Sequence, residues 1–296
     1  MRILVVGGSG LIGAHVVQVL RERGHTPLSA ARHPGPGVDH VFELTSADPR
    51  PILAGCDGVV VATRTDEQKP LPKPIHPAFR RDMVDPVVRL FAAAREQGLT
   101  RGVLMGSYYT YFDRLHPQWR LAEHHTYIRC RVEQAREGRA AAGPELPVAV
   151  LELPFVFGRS GDRLPNWSAP LDRWTRSRLP LVAPPGGTAV TTARHVAEAA
   201  ADALEAGSGA DIPIADENLS WSEMIARIAA HRRPVHALPA SVVKAALRAG
   251  GAMQRATRKE SGINPAHAAG LLLTDLFVDP PTGRSVDAAI RESFPR

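Results

Sequence analysis

The sequence predicts an α/β fold, a doubly wound parallel sheet with a smaller C-terminal domain partly interleaved with it. Three observations carry this. Short runs of Val, Ile and Leu recur along the first half of the chain without polar alternation, as expected of strands covered on both faces. Stretches of helical periodicity fall between them, and strand and helix signals alternating at this spacing make βαβ units with right-handed crossovers. A glycine-rich turn joins the first such run to the first helix.

Taken in order, residues 2–6 are a continuous apolar run and read as a central strand. Residues 11–23 read as a helix, with Leu11, Ile12, Val16, Val19 and Leu20 on one face. Gly24 stands where a helix end favours a left-handed residue. Strands are expected at 27–31, 38–42 and 58–62, the last built on Val59, Val60 and Val61. Residues 64–78 hold proline and charge and read as a loop. A helix is expected over 79–97, where Val84, Val87, Val88, Leu90 and Phe91 form the apolar set, and a strand over 102–105. A loop, a helix around 120–141 and a strand at 148–153 complete a nucleotide-binding domain of residues 1–155. The texture then changes. Residues 158–188 are rich in Gly, Pro, Arg and Trp and show little periodicity. Helices are expected at 193–206, 220–231 and 240–256, and a short strand at 212–215. Residues 156–296 read as a smaller substrate-side domain, with about 189–215 returning to the main sheet, and 260–296 resist assignment.

Composition bounds the function. At 296 residues, with 44% hydrophobic and 22% charged side chains, the chain has the balance of a soluble globular protein. It lacks the run of about 18 apolar residues that a membrane span needs. Its N-terminus runs straight into a strand pattern without a signal-peptide core, so a cytoplasmic protein with no membrane partner is expected. Cys56 and Cys130 form no CxxC pair and read as reduced, buried thiols, with neither a disulfide nor a metal site expected. The net charge of +6 is almost all arginine, with lysine only at Lys69, Lys73, Lys244 and Lys259. A scattered excess favours small anions slightly and speaks against nucleic acid, which takes a clustered patch. No G-x-S-x-G elbow, P-loop lysine or H-E-x-x-H motif is present.

The segment Gly7-Gly8-Ser9-Gly10-Leu11-Ile12-Gly13 is G-x-x-G-x-x-G placed between a strand and a helix. A tight turn needs a residue free of φ restriction, close approach of a pyrophosphate needs backbone without Cβ, and helix–strand packing needs a third small residue. The helix that follows offers free N–H groups and its positive dipole end to phosphate. The strand before and the helix after are the context that lifts the motif above a lone glycine pattern, and they predict a Rossmann-type dinucleotide site. An acidic residue at the end of the second strand would bond the ribose 2′-hydroxyl of NAD. This chain has Arg32, nineteen residues after Gly13, and a guanidinium suits a 2′-phosphate. NADP(H) is therefore expected over NAD(H).

From here the residues resemble the extended or atypical branch of the short-chain dehydrogenase/reductase superfamily, the NAD(P)-dependent epimerase/dehydratase relatives. Glu43-Leu44 resembles the acidic–apolar pair that meets adenine, and Ala62-Thr63 the segment running past the cofactor riboses. The stretch from Met105 to Tyr111 resembles the loop carrying the catalytic serine, which would be Ser107. Tyr127 to Glu133 resembles the Y-x-x-x-K helix, and Leu153 to Gly158, with Pro154 and Val156, the segment closing over nicotinamide. Ile214 to Glu217 and Ser220 to Met224 resemble the start of the substrate-side helices. The resemblance implies proton transfer by Tyr127 while Ser107 holds the substrate oxygen, and it allows a homodimer. The chain departs from the pattern at Arg131, which stands where the family has lysine, and no lysine falls between Lys73 and Lys244. Tyr127 and Arg131 are four apart and share a helix face. Arginine keeps the charge but is planar and bulkier.

The aromatic run Tyr108-Tyr109-Thr110-Tyr111-Phe112 falls where the substrate would lie and reads as a stacking wall, with Trp167 and Trp174 lining a lid. His124 and His125 read as residues near a helix start, with a proton-transfer role as the other reading. The expectation is an NADP(H)-dependent short-chain reductase or dehydrogenase that moves hydride to or from the carbonyl or alcohol of a small organic molecule. The alternatives are a sugar-nucleotide epimerase-type enzyme and a non-catalytic NADP(H)-binding regulator, the latter motivated by the missing lysine.

Overall fold

The computed structural model describes residues 1–63 and 70–294. β1 (Arg2–Val6) is apolar throughout its buried length, and both faces are used: Ile3 and Val5 pack into one core, Leu4 and Val6 into the other. α1 (Leu11–Glu22), β2 (Thr26–Ala31), the two-residue β3 (His40–Val41), the single turn α2 (Arg50–Leu53) and β4 (Gly58–Val61) follow. Of the stretch expected to be loop, residues 64–69 lie outside the described residues. The remainder forms β5 (Leu71–Pro72) and the start of α3 (His76–Phe79).

The helix expected over 79–97 is not uniform. α3 passes through a π-helical stretch at Arg80–Val84 into α4 (Asp85–Glu96). The Asp85 N–H bonds the Arg80 carbonyl five residues back, and Pro86 has no N–H with which to restore the four-residue step. After β6 (Arg101–Met105) the expected loop is instead α5 (Tyr108–Leu115), capped by Ser107. The helix expected around 120–141 is two, α6 (Leu121–His124) and α7 (Thr126–Ala142), parted at His125, whose backbone is extended (φ −129°, ψ 109°).

β7 (Val148–Glu152) is buried along its whole length. Beyond it come β8 (Phe155–Phe157), α8 (Ser168–Arg176), β9 (Leu181–Ala183), β10 (Gly187–Thr192), α9 (Ala193–Ala206), β11 (Asp211–Pro213) and β12 (Glu217–Ser220). The chain finishes with α10 (Trp221–Ile228), β13 (Val235–Ala237), α11 (Ala240–Thr257), β14 (Lys259–Glu260), α12 (Ala269–Leu272), β15 (Asp275–Leu276) and α13 (Asp287–Ser293). The regular elements α8 and β9 therefore lie inside the stretch read as irregular.

The main sheet has seven strands in the order β11-β7-β6-β4-β1-β2-β3, and every pairing is parallel. α4 and α7 cover one face, α1 and α9 the other. Strand order reverses between β1 and β4, which opens a crevice at their C-terminal ends. α9 and β11 return to this sheet, whereas β10 belongs to a smaller sheet with β12, β15 and β8. That sheet packs over a separate core holding Phe157, Trp221, Met224 and Phe294. No helix among the described residues is long and apolar enough to cross a membrane.

Candidate functional site

The glycine turn lies at the open end of β1, in the crevice. Gly7 has φ +88°, and a Cβ there would come within 2.6 Å of the Ala62 carbonyl oxygen at the end of β4. A Cβ on Gly13 would meet the Gly7 carbonyl oxygen at 2.1 Å, so the first turn of α1 can close on β1 only without a side chain. Gly8, which the motif leaves free, is equally confined: its Cβ would approach Ser29 Oγ to 2.4 Å. The turn is pinned by the N–H groups of Gly7 and Gly8, which both donate to the Ala30 carbonyl, at 2.8 and 3.1 Å. α1 begins after Gly10 with no side-chain cap and no acidic residue in its first turn. Its free N–H groups and positive end therefore face an open cradle of backbone, which fits a pyrophosphate.

Other residues singled out in the sequence surround this crevice at the strand ends. Ala62 and Thr63 follow β4, and Pro154 and Val156 follow β7. Arg32 is exposed just beyond β2 and makes no hydrogen bond or ion pair among the described residues. Glu43 accepts from the Thr45 hydroxyl and N–H, at 2.9 and 3.3 Å. Leu44 turns its side chain into the core, and its carbonyl accepts from Arg89 Nη2 at 2.8 Å.

Beside the crevice, Arg131 Nε donates to Tyr127 Oη at 3.1 Å, and the guanidinium carbon lies 5.2 Å from the ring centroid. Both side chains are buried. Arg131 Nη1 donates to the Met105 carbonyl at the end of β6 (3.0 Å) and to Gln134 Oε1 (2.9 Å). Gln134 in turn donates to the Met83 carbonyl in the π-helical stretch. Arg131 Nη2 has no partner among the described residues. Ser107 sits at the same strand end, and its Oγ accepts from the Tyr109 N–H at 3.4 Å, which leaves the hydroxyl hydrogen free to donate.

The segment that the sequence left unassigned closes the other side. The Tyr127 N–H donates to the Gly262 carbonyl (3.0 Å), and a Cβ on Gly262 would meet Tyr127 Cβ at 2.9 Å. His125 is fully buried rather than lying near a helix start in solvent, and its Nδ1 accepts from the Asn264 N–H at 3.1 Å. Burial, with His267 and His124 nearby, pushes its pKa down to about 4. His125 is therefore a neutral tether between α7 and the 262–264 strap. His124 stacks on His267 at 4.1 Å.

The aromatic wall needs correction. Tyr108 is buried, its hydroxyl is bonded to Thr188 Oγ1 at 2.9 Å, and burial pushes it up to about 12. It is core. α5 directs Tyr109 and Tyr111 to partly buried positions on the same cluster. Trp167 is partly buried and packs on Phe155, Phe157 and Phe294, at 5.5, 5.0 and 6.0 Å, against the core of the smaller sheet, with partly buried Trp174 on the same cluster.

Sequence reading missed three buried charge networks. Glu152, at the end of β7, is wholly buried and takes both guanidinium nitrogens of Arg114 at 2.6 and 2.8 Å and the Thr110 hydroxyl at 2.5 Å. The one acid in an otherwise apolar strand was its signal. Asp216 is also wholly buried. Burial works against its charge, but His195, Thr282 and Thr191 hold its carboxyl below the usual range. His76, Cys130 and Glu133 bring ligand atoms within 4.8 Å of one another. Glu133 is bonded by His76, Arg80 and Arg129, and burial pushes the neighbouring Cys130 thiol up to about 12.

A parallel sheet with a glycine cradle at its switch point, and a tyrosine–arginine pair beside it, defines a short-chain dehydrogenase/reductase fold of the extended kind. Residues 3–169 match the model of the NAD dependent epimerase/dehydratase family. The chain belongs to that family and binds NAD(P). Among sequence relatives, the epimerase family protein SDR39U1 of Mus musculus is 57% identical over 60 residues, and that of Homo sapiens 42%. These alignments cover 20% of this chain and 19% of each relative, so they span about a fifth of those proteins. Among solved structures, gox2253 is similar with a TM-score of 0.76 at 18% identity, covering 98% of this chain and 96% of that one. Human SDR39U1 (isoform 2) with NADPH gives 0.67 at 18% identity and 99% coverage of both. UDP-N-acetylglucosamine 4-epimerase from Bacillus cereus gives 0.66 at 17%, covering 99% of this chain and 95% of that one. At these identities the likeness is one of fold.

Proposed function

We propose that this protein is an NADP(H)-dependent oxidoreductase that interconverts the carbonyl and alcohol of a small organic molecule. The observation that carries the reading is the 3.1 Å hydrogen bond from Arg131 Nε to Tyr127 Oη, beside the glycine cradle. Bound nicotinamide supplies or accepts the hydride. In the reductive direction Tyr127 Oη gives its proton to the carbonyl oxygen as the carbon takes the hydride, so the C=O becomes CH–OH. Arg131 keeps a permanent cation on the oxygen left behind. Ser107 Oγ donates to the same substrate oxygen and orients it. Arg131 Nη2 is the donor left for a ribose hydroxyl.

Gly7, Ser9, Gly10, Leu11, Ile12 and Gly13 hold the pyrophosphate. Glu43 and Leu44 border adenine, Ala62 and Thr63 the riboses, and Pro154 and Val156 the nicotinamide. Arg32, exposed and unpaired, takes the 2′-phosphate. Tyr109 and Tyr111 border the substrate.

The test is NADPH oxidation over a panel of ketones and aldehydes, with nucleotide affinity measured in parallel. Tyr127→Phe lowers turnover by about 10²–10⁴-fold and leaves NADPH affinity unchanged. Arg32→Ala weakens NADPH by about tenfold or more and NADH little. Unchanged turnover in Tyr127→Phe removes the proton from that residue. Tight NADPH binding with no turnover across the panel makes the chain a nucleotide-binding regulator instead.

A further inference from the structure

Charge is distributed unevenly along this chain. Between Glu223 and Glu260 there is no acidic residue, while Arg227, Arg232, Arg233, Lys244, Arg248, Arg255, Arg258 and Lys259 supply eight basic ones. The rest of the chain holds 28 basic against 30 acidic residues, so this segment carries more than the whole net charge of +6. Arg227 is neutralised by Glu217, Glu223 and Asp287. Lys244, Arg248, Arg255, Arg258 and Lys259 make no ion pair among the described residues, and all five belong to α11 or to the residues just after it.

α11 has three distinct sides at about 100° per residue. Val243, Leu247, Gly251 and Gln254 form the inner side, where Gly251 packs so closely that a Cβ would lie 3.0 Å from Ala266 Cβ. Lys244, Arg248 and Arg255 line one edge. The outer side is Val242, Ala245, Ala246, Ala249, Ala252, Met253 and Ala256, all exposed and none polar, with Val242 51% and Met253 65% accessible. A solvated helix face is ordinarily the polar one. This face is apolar and is flanked along one edge by cations that form no ion pair among the described residues.

We infer that α11 docks this protein onto an anionic phospholipid surface, with the Val242–Met253 face in the headgroup–acyl boundary and the basic edge on the lipid phosphates. The two features together select this occupant. A polyanion such as nucleic acid accounts for the rim and leaves the apolar face wet. An antiparallel two-fold pairing of α11 with a second copy covers the apolar face but sets the two basic edges side by side. A membrane interface takes both, and the helix lies on it without spanning it. The partner is one that the overall composition did not lead the sequence reading to expect. The docked helix is also coupled to the candidate site: Gln254 donates to Ser261 Oγ at 2.9 Å, and the neighbouring Gly262 accepts from the Tyr127 N–H at 3.0 Å.

The experiment is co-sedimentation of the full chain with vesicles of phosphatidylcholine and with vesicles rich in phosphatidylglycerol, at low and at raised ionic strength. The expected result is association with the anionic vesicles alone, released by salt. Lys244→Glu/Arg248→Glu/Arg255→Glu lowers apparent vesicle affinity by about a hundredfold or more, since the loss of each cation alone costs roughly fivefold. Val242→Ser/Met253→Ser lowers it by about tenfold. Both variants keep the parent melting temperature, because the altered side chains are exposed. No association at low salt, equal binding to both vesicle types, or unchanged binding by the charge-reversed variant overturns the inference. So does a dimer in size exclusion that Met253→Ser dissociates while vesicles do not bind.

Discussion

The glycine turn and the Tyr127 helix face the same edge of the sheet but are held by different means. The turn is held by what is missing. Gly7, Gly8 and Gly13 each lie where a Cβ would come within 2.6 Å of a neighbouring atom, and their partners are backbone or the nearby Ser29. The Tyr127 region is held by what is added from afar: Met105 from β6, Gln134 from one turn on, Gly262 and Asn264 from more than a hundred residues away. A backbone-built site tolerates no substitution and announces itself in sequence. A site built by side chains from distant elements tolerates partial replacement and is legible only in part.

The sharpest way to break this contrast is Gly13→Ala. With 2.1 Å between the new Cβ and the Gly7 oxygen, α1 must move off β1. Overpacking of this kind costs about 1–3 kcal/mol or more, so dinucleotide affinity in a fluorescence titration falls by about a hundredfold. A fully competent Gly13→Ala would show that the turn is not rigidly specified.

A comparable effect is expected at the tether, but only in acid. His125 has a folded pKa of about 4, against 6.5 for the free side chain. The unfolded chain therefore binds the proton first. The contribution of the neutral His125 is full above about pH 6.5 and is lost as pH falls toward 4, by up to about 3 kcal/mol at 1.36 kcal/mol per unit. Chemical denaturation between pH 7.5 and 4.5 measures it, and His125→Gln flattens that dependence. An equally steep profile in His125→Gln would place the acid sensitivity elsewhere.

The smallest effect belongs to Arg131→Lys. A lysine keeps the cation near Tyr127 Oη but cannot hold Met105, Gln134 and the tyrosine at once. Loss of one or two buried hydrogen bonds costs about 1–3 kcal/mol, a drop of several degrees in melting temperature, while turnover stays within about tenfold. A larger kinetic loss with unchanged stability would mean that the planar guanidinium itself takes part at the substrate or ribose.

Legibility follows the range of the interactions. The strands β1, β4, β6 and β7 and helices α1, α4 and α9 were readable because burial on two faces or one imposes apolar periodicity on contiguous residues. α5 was not, since its Tyr-Tyr-Thr-Tyr-Phe run looks like a binding wall until Thr188 is seen to take the Tyr108 hydroxyl. The His125 break was hidden because its reason is the Asn264 N–H. The apolar outer side of α11 was hidden for the opposite reason: periodicity marks an apolar face as inner, and which of its two apolar sides turns inward depends on Ala266.

The sequence by itself determined that a glycine cradle follows the first strand and opens a helix, because steric exclusion of Cβ acts between near neighbours and leaves residues no choice. It also determined that Tyr127 and Arg131 share a helix face, which is a matter of helical pitch. Only the tertiary structure decided that Arg131 meets Tyr127 through Nε with its fork tied to β6, that Gly262 closes over the tyrosine, that Tyr108 is buried in a core and that Trp167 packs against one. Those outcomes rest on which distant polar atoms arrive within about 3 Å of one another, and no local pattern along the chain records that arrival.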